Sequence, residues 1–421
     1  MSSERFLDST PSNEQENNCG GITFEKGSLM VIGILSVCAV LAFSASALIW
    51  YKENHNENTT TPVPTTTTSR KPITCGKRVV GFYTGGRTTD ISRIQLTTLT
   101  HAVFAYIQMD ANGALNFESE NGKQRFEIMK SKIKGSNETV KLMISIGGPD
   151  NSQYFSGVVS AKRTKKKFID FIISFIEFHE VDGVDIFWKW VSVTDSNAYA
   201  QFLDDLRQKL NDKILSITLP PARIEHFEDG YDLEEILSHV DFLNVYSMDY
   251  YGPWKNARGT PTGPSAPLYY GIGDRKHFNV NETMNYYLEI TREPVKFNIV
   301  IPFFVSLWNQ VKEALDSRCP VFRDVTLFDN RTEGDAYMSR WSAQREGWKL
   351  SPASWDNLTM TSYIWNPINE SFLTFETGRS IEAKVDYVKK NNLGGVWLWS
   401  VDMDDDTNDV MSSFIASGLC L

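Results

Sequence analysis

Val181-Asp182-Gly183-Val184-Asp185-Ile186-Phe187-Trp188-Lys189-Trp190 decides how the rest of the sequence is read. Side chains along a strand alternate with period two. Asp185, Phe187 and Lys189 therefore share one face, and Val184, Ile186 and Trp188 share the other. The second face is wholly apolar, as a strand packed under helices requires. The first carries an acid, a ring and a base, and opens into a polar and aromatic mouth.

Working outward, short apolar runs alternate with amphipathic helical patterns from Lys77 onward, as stacked βα units do. The predicted strands are Arg78–Tyr83, Thr100–Ile107, Lys141–Ile146, Gly183–Trp188, Ile214–Leu219, Phe242–Ser247, Lys296–Phe303 and Gly395–Val401. Eight is the number a closed barrel needs, and the length of the segment suits one. The expected fold is α/β, a TIM (β/α)8 barrel over residues 75–421. One connecting helix, Tyr199–Leu210, has apolar residues at 199, 202, 203, 206 and 210, which keeps one face on the core. Another, Lys165–Phe178, opens on Lys162, Arg163, Lys165, Lys166 and Lys167, a solvated helix end or a heparin-like surface. The interval from about 305 to 390 is too long for a plain loop. Its aromatics, among them Tyr337, Trp341, Trp348, Trp355, Tyr363 and Trp365, need something to pack on.

Ahead of the barrel, residues 1–27 are polar and acidic and read as a disordered tail. Ser28–Tyr51 is uncharged and rich in Leu, Ile, Val, Ala and Phe, long enough for a transmembrane signal anchor. Trp50 and Tyr51 would lie at the headgroups. The rival reading is a cleaved signal peptide ending at Ser44-Ala45-Ser46-Ala47, against which stand the length of the run and its hydrophilic leader. Residues 52–74 form a Thr/Pro-rich stalk of the O-glycosylated or plain linker kind. N-glycosylation sequons at Asn58, Asn137, Asn281, Asn330, Asn357 and Asn369 all follow the apolar run. That asymmetry predicts a single-pass type II membrane protein with its C-terminal domain extracellular or lumenal. In an oxidising compartment one disulfide is expected. Cys75 and Cys420 lie at the two ends of a fold that closes on itself and are the expected pair, which leaves Cys319 odd.

A formal net charge of -10 argues against a nucleic-acid partner. The 5 Cys and 6 His show no zinc-type spacing, and no Gly-rich phosphate loop occurs. Neither cofactor nor metal is expected.

Four motifs in order carry a resemblance. They are Asp182-Gly183-Val184-Asp185, the run Lys141 to Gly147-Gly148, Leu243-Asn244-Val245-Tyr246-Ser247-Met248-Asp249-Tyr250-Tyr251-Gly252, and Gly394-Gly395-Val396-Trp397-Leu398-Trp399 with Asp402, Asp404 and Asp405. Together they resemble glycoside hydrolase family 18, the chitinases and chitinase-like lectins. The Phe-Trp-Lys-Trp variant and the Met248 to Trp254 run look like nematode membrane-anchored chitinase-like proteins. The resemblance implies a small α+β insertion between strands 7 and 8, in the 305–390 interval.

The family signature is Asp-Gly-x-Asp-x-Asp-x-Glu, and its chemistry is substrate-assisted, outside the two-carboxylate pattern. A Glu protonates the glycosidic oxygen, and the substrate's N-acetyl oxygen attacks while an Asp and a Tyr hold it. This sequence departs at all three positions: Phe187 for the Asp, Lys189 for the Glu, and Met248 for the Tyr of the usual Met-x-Tyr-Asp. Lysine, with a reference pKa near 10.4, holds its proton too tightly to act as the acid. Removing one well-placed electrostatic group costs about 100-fold to 1000-fold. The expectation is a pseudoenzyme that binds chitin or N-acetylglucosamine oligomers as a lectin. The alternative is a scaffold or signalling ectodomain with an occluded groove and a protein partner. A third is residual hydrolysis with Asp249 as a relocated acid. By resemblance Trp399 floors the central subsite, and Tyr83, Tyr106, Tyr250 and Trp254 are further sugar-binding candidates. Asp185 and Asp249 either hydrogen-bond the sugar or neutralise Lys189, since a buried ammonium needs a partner.

Overall fold

The computed structural model describes residues 76–85, 91–135, 139–328, 331–332, 336–404 and 411–420. The tail, apolar run and stalk expected over 1–27, 28–51 and 52–74 lie outside the described residues, as do Cys75, Asn58, Asn137, Asn330 and the side chain of Cys420. Among the described residues no helix is long and apolar enough to cross a membrane.

Eight parallel strands close into a barrel: β1 Arg78–Tyr83, β2 His101–Met109, β3 Lys141–Gly147, β4 Gly183–Phe187, β5 Ile214–Leu219, β6 Phe242–Val245, β7 Phe297–Pro302 and β8 Gly395–Trp399. Closure is through β1, which pairs with β8 at Arg78↔Gly395 and with β2 at Val80↔His101. The outer face works as the alternation predicts. Trp188 stacks on Phe155 with ring centres 5.1 Å apart and edges onto Tyr199. The helix Ser196–Leu210 buries Tyr199, Phe202, Leu203, Leu206 and Leu210. On the helix Lys162–His179, Lys165 pairs with Asp205 and Lys166 with Asp170.

Between β7 and β8 the chain adds a five-stranded antiparallel sheet, ordered Ala336–Ser339, Phe304–Trp308, Ser371–Phe375, Thr361–Asn366 and Ser354–Asp356, with the short helix Arg340–Arg345. It buries its own small core of Val305, Met338, Ala343, Leu350, Leu373 and Phe375, against which Trp348 packs. Trp365, Trp355 and Trp341 lie under Arg323, Arg379 and Arg345. The last part of the 305–390 interval is the helix Gly378–Lys390, whose buried face leads the chain into β8.

Register sets what lies inside the barrel. Ser145 is level with Asp185, Asp185 with Ser216, and Thr218 with Asn244, which is level with Asn298. All of these are buried polar side chains, and they join into one hydrogen-bonded chain. Arg78 Nε donates to Asn298 Oδ1 at 3.1 Å, Asn298 Nδ2 to Asn244 Oδ1 at 3.0 Å, and Asn244 Nδ2 to Asp185 Oδ1 at 3.2 Å. Ser145, Ser216 and Thr218 hydroxyls complete the Asp185 shell at 2.9, 2.7 and 3.3 Å.

Candidate functional site

The C-terminal ends of the strands form the mouth, and β4 delivers its central residues. The strand ends at Phe187, so Lys189 stands on the following turn. That turn is pinned twice. Lys189 N donates to Ser152 Oγ at 2.7 Å, and Tyr231 Oη donates to the Trp188 carbonyl at 3.0 Å. Below it, Gly147 and Gly148 take φ of 102° and 83°. A Cβ on Gly147 would lie 2.5 Å from the Phe187 carbonyl oxygen, and one on Gly148 2.7 Å from the Tyr106 ring. Only glycine lets the two aromatics close in so far.

Phe187 is completely buried. Its ring is 5.7 Å from Tyr106, 5.8 Å from Trp190 and 6.0 Å from Tyr246. An apolar plug therefore occupies the level where the family motif has a carboxylate. Beside it, partly exposed Trp399 lies 5.9 Å from Tyr106 at 31° and 6.0 Å from Phe82. Among the described residues the buried Tyr106 hydroxyl has no hydrogen-bond partner.

Asp185 is taken up by the barrel interior, whereas Asp249 acts on Lys189 electrostatically without a direct ion pair. Asp185 is fully buried and spends its oxygens on the four donors described above. Burial pushes its pKa up, and those hydrogen bonds oppose the shift. Asp249 accepts from Tyr246 Oη at 2.5 Å and from Ser265 Oγ at 3.3 Å. It too is raised by burial, against the pull of Tyr246, Lys189 and Ser265. Neither acid forms an ion pair with Lys189 among the described residues. The ammonium instead stands 4.8 Å from the centre of the Tyr246 ring and 5.8 Å from that of Trp190. Ring quadrupoles attract a cation at such distances. Burial lowers the Lys189 pKa, with Asp249 and Asp150 pulling the other way.

Sequence reasoning missed Tyr246 and Trp190. A signal for Tyr246 was present: the family's Met-x-Tyr-Asp reads Tyr246-Ser247-Met248-Asp249, so Met and Tyr have traded places two residues apart. Both positions follow the end of β6 at Val245, and the relocated phenol reaches Asp249 and Lys189.

Lys189, Trp190, Met248, Asp249 and Trp254 border a cleft of about 410 Å³, which Phe227, Arg258, Arg275 and Phe278 also line. That is a size typical of ligand sites. Trp399 and Tyr106 stand outside that lining, in the aromatic floor. Tyr83 belongs to the core and accepts from Arg125 at 3.3 Å, whereas Tyr250 borders the cleft although it is almost fully buried, its hydroxyl bonded to Thr283 at 2.6 Å. Of the described sequons, Asn357 and Asn369 are exposed and Asn281 is partly buried. Cys319 is buried and unpaired, with Sγ 3.5 Å from Asp356 Oδ1.

Comparison with known proteins agrees with this geometry. The family model described as Glycosyl hydrolases family 18 matches residues 78–404. Chitinase-3-like protein 2 of Homo sapiens is 21% identical over 400 residues, 92% of this chain and 94% of that protein. Probable chitinase 2 of Drosophila melanogaster is 25% identical over 334 residues, 73% of this chain and 66% of that one. Among solved structures, the Ostrinia furnacalis Group IV chitinase superposes with a TM-score of 0.70 at 21% identity, covering 82% of this chain and 100% of that one. Human YKL-39, described as a pseudo-chitinase with retained chitooligosaccharide binding properties, gives 0.69 at 19% identity, covering 82% and 99%.

Proposed function

We propose that this chain, which belongs to glycosyl hydrolase family 18, is a membrane-anchored, non-hydrolytic protein that binds N-acetylglucosamine oligomers in its barrel mouth. One observation carries the reading: the acid position holds a lysine whose ammonium rests on Tyr246, above a buried Phe187 plug. A cation there repels the positive character a departing sugar develops, and Phe187 cannot hold an acetamido group. Partly exposed Trp190, Trp254 and Trp399 still offer faces for sugar C–H groups to stack on. Anchoring rests on the apolar run 28–51 and on the sequons that follow it.

The test is calorimetry of the full-length protein in mild detergent with N-acetylglucosamine hexamer, with product analysis on the same mixture. Saturable heat without shortened sugars, weakened at least tenfold by Trp399→Ala, supports the lectin. Shortened sugars refute it, and their loss in Asp249→Asn would make Asp249 a relocated acid. No heat at millimolar sugar favours an ectodomain with a protein partner, a reading supported by Phe187 sealed under Tyr106, Trp190 and Tyr246. Glycosidase-sensitive mobility at Asn357 and Asn369 checks the lumenal or extracellular placement.

A further inference from the structure

The cleft beside Lys189 has a charge arrangement that a neutral polymer does not call for. It presents three cations and two acids. Arg258 is matched by an ion pair with Glu225. Asp249 accepts from the Tyr246 and Ser265 hydroxyls and acts on Lys189 electrostatically without a direct ion pair. Lys189 and Arg275 remain, and neither forms an ion pair among the described residues. Arg275 lies 5.4 Å over Tyr251 and 5.9 Å over Phe278. Its Nη2 donates to the Arg258 carbonyl at 3.2 Å, and its buried Nη1 has no acceptor. Buried donors in folded proteins are nearly always matched, and a guanidinium nitrogen without an acceptor calls for an explanation. Aromatic faces hold both cations without a direct ion pair, and Asp249 and Asp150 act on Lys189 only from a distance, so both charges stay available to a ligand.

We infer that the ligand is an anionic oligosaccharide, with a sugar carboxylate or a sulfate ester meeting the Lys189 ammonium and the Arg275 guanidinium. This rests on the sugar-binding reading above and narrows its ligand class. An N-acetylhexosamine would stack on the cleft tryptophans, while an acidic neighbour in the same chain engages the two cations. Replacing the family's Glu with Lys189 then does two things: it removes the proton donor, and it changes which sugars the mouth selects.

Three hexasaccharides separate the outcomes in calorimetry with the full-length protein: the N-acetylglucosamine hexamer, a hyaluronan hexamer carrying carboxylates only, and a chondroitin sulfate hexamer carrying both groups. The expected result at 50 mM salt is at least tenfold tighter binding of an acidic sugar than of the neutral one. That preference should shrink at 500 mM salt, since salt screens exposed charge. Tight hyaluronan binding assigns the carboxylate, and tight binding of chondroitin sulfate alone assigns the sulfate. Lys189→Gln should lose about tenfold or more for the acidic sugar, in line with a charge-assisted hydrogen bond. Lys189→Arg should retain it, and Lys189→Glu should favour the neutral hexamer. If a variant fails to fold, the wild-type preference and its salt dependence decide alone. Equal or tighter binding of the neutral hexamer overturns the inference and leaves the lectin standing. Silence with all three sugars overturns both.

Discussion

Asp185→Ala tests whether this acid serves the barrel's internal hydrogen-bond network or contacts sugar, and the geometry sets its cost. The carboxylate accepts from Ser145, Ser216, Thr218 and Asn244. The three hydroxyls can rotate toward one another once it is gone. The Asn244 amide cannot, because its carbonyl is held by Asn298. One buried donor is thus orphaned, at about 1–3 kcal/mol, and the vacated volume adds about 1 kcal/mol. Asp185→Ala should therefore lose about 2–4 kcal/mol, read from urea unfolding followed by circular dichroism. Asp185→Asn keeps the shape and one accepting oxygen, so about 1 kcal/mol is expected. If Asp185→Ala unfolds within about 0.5 kcal/mol of wild type but no longer binds sugar, the structural assignment is wrong and Asp185 is a ligand contact.

The pH dependence of the same pair has a defined sign. Burial raises the Asp185 pKa, so its contribution is fully present below the ordinary carboxyl value near 4 and falls as pH rises through the folded value. The stability gap between wild type and Asp185→Asn should narrow between pH 4 and pH 7, measured as urea midpoints. Tyr246→Phe removes the donor 2.5 Å from Asp249 and should destabilise by about 1.5–3 kcal/mol, measured the same way. Lys384 and Glu376 form a buried ion pair with side chains 0% and 6% exposed. Lys384→Met should cost about 3–5 kcal/mol, and adding Glu376→Met should restore most of it, as thermal melts would show. The Cys319 thiol, buried and pushed up in pKa, should resist alkylation in the native protein and react only on unfolding, by peptide mapping.

The barrel was legible because its signal is local and repeated. All eight strands lie where apolar runs between helical patterns put them, with ends shifted by a few residues at most. The inward placement of Asp185 and Phe187 followed from period two alone. What Lys189 contacts did not, because the turn after Phe187 is shaped by Ser152 and Tyr231, residues far apart in sequence. A charge rule proposed a carboxylate against the ammonium, whereas the fold sets it over aromatic faces, with Asp249 acting on it without a direct ion pair. The Arg78–Asn298–Asn244–Asp185 chain was illegible for a related reason. Its members sit on β1, β7, β6 and β4, and only the register brings them level. Tyr83 shows the reverse failure: position along the motif marked it as a groove residue, but it is packed into the core.

The closure of the barrel through β1 bears on how the protein is made. Arg78 pairs with Gly395, so one edge of the first barrel strand has no partner until almost the whole domain has left the ribosome. At about 5–20 residues per second, that edge waits roughly 15–60 s. An unpaired strand edge recruits other strands. Biogenesis of this chain should therefore depend on chaperones that occupy β1 until β8 arrives. Truncations that end before Gly395 should be degraded rather than persist as shorter barrels.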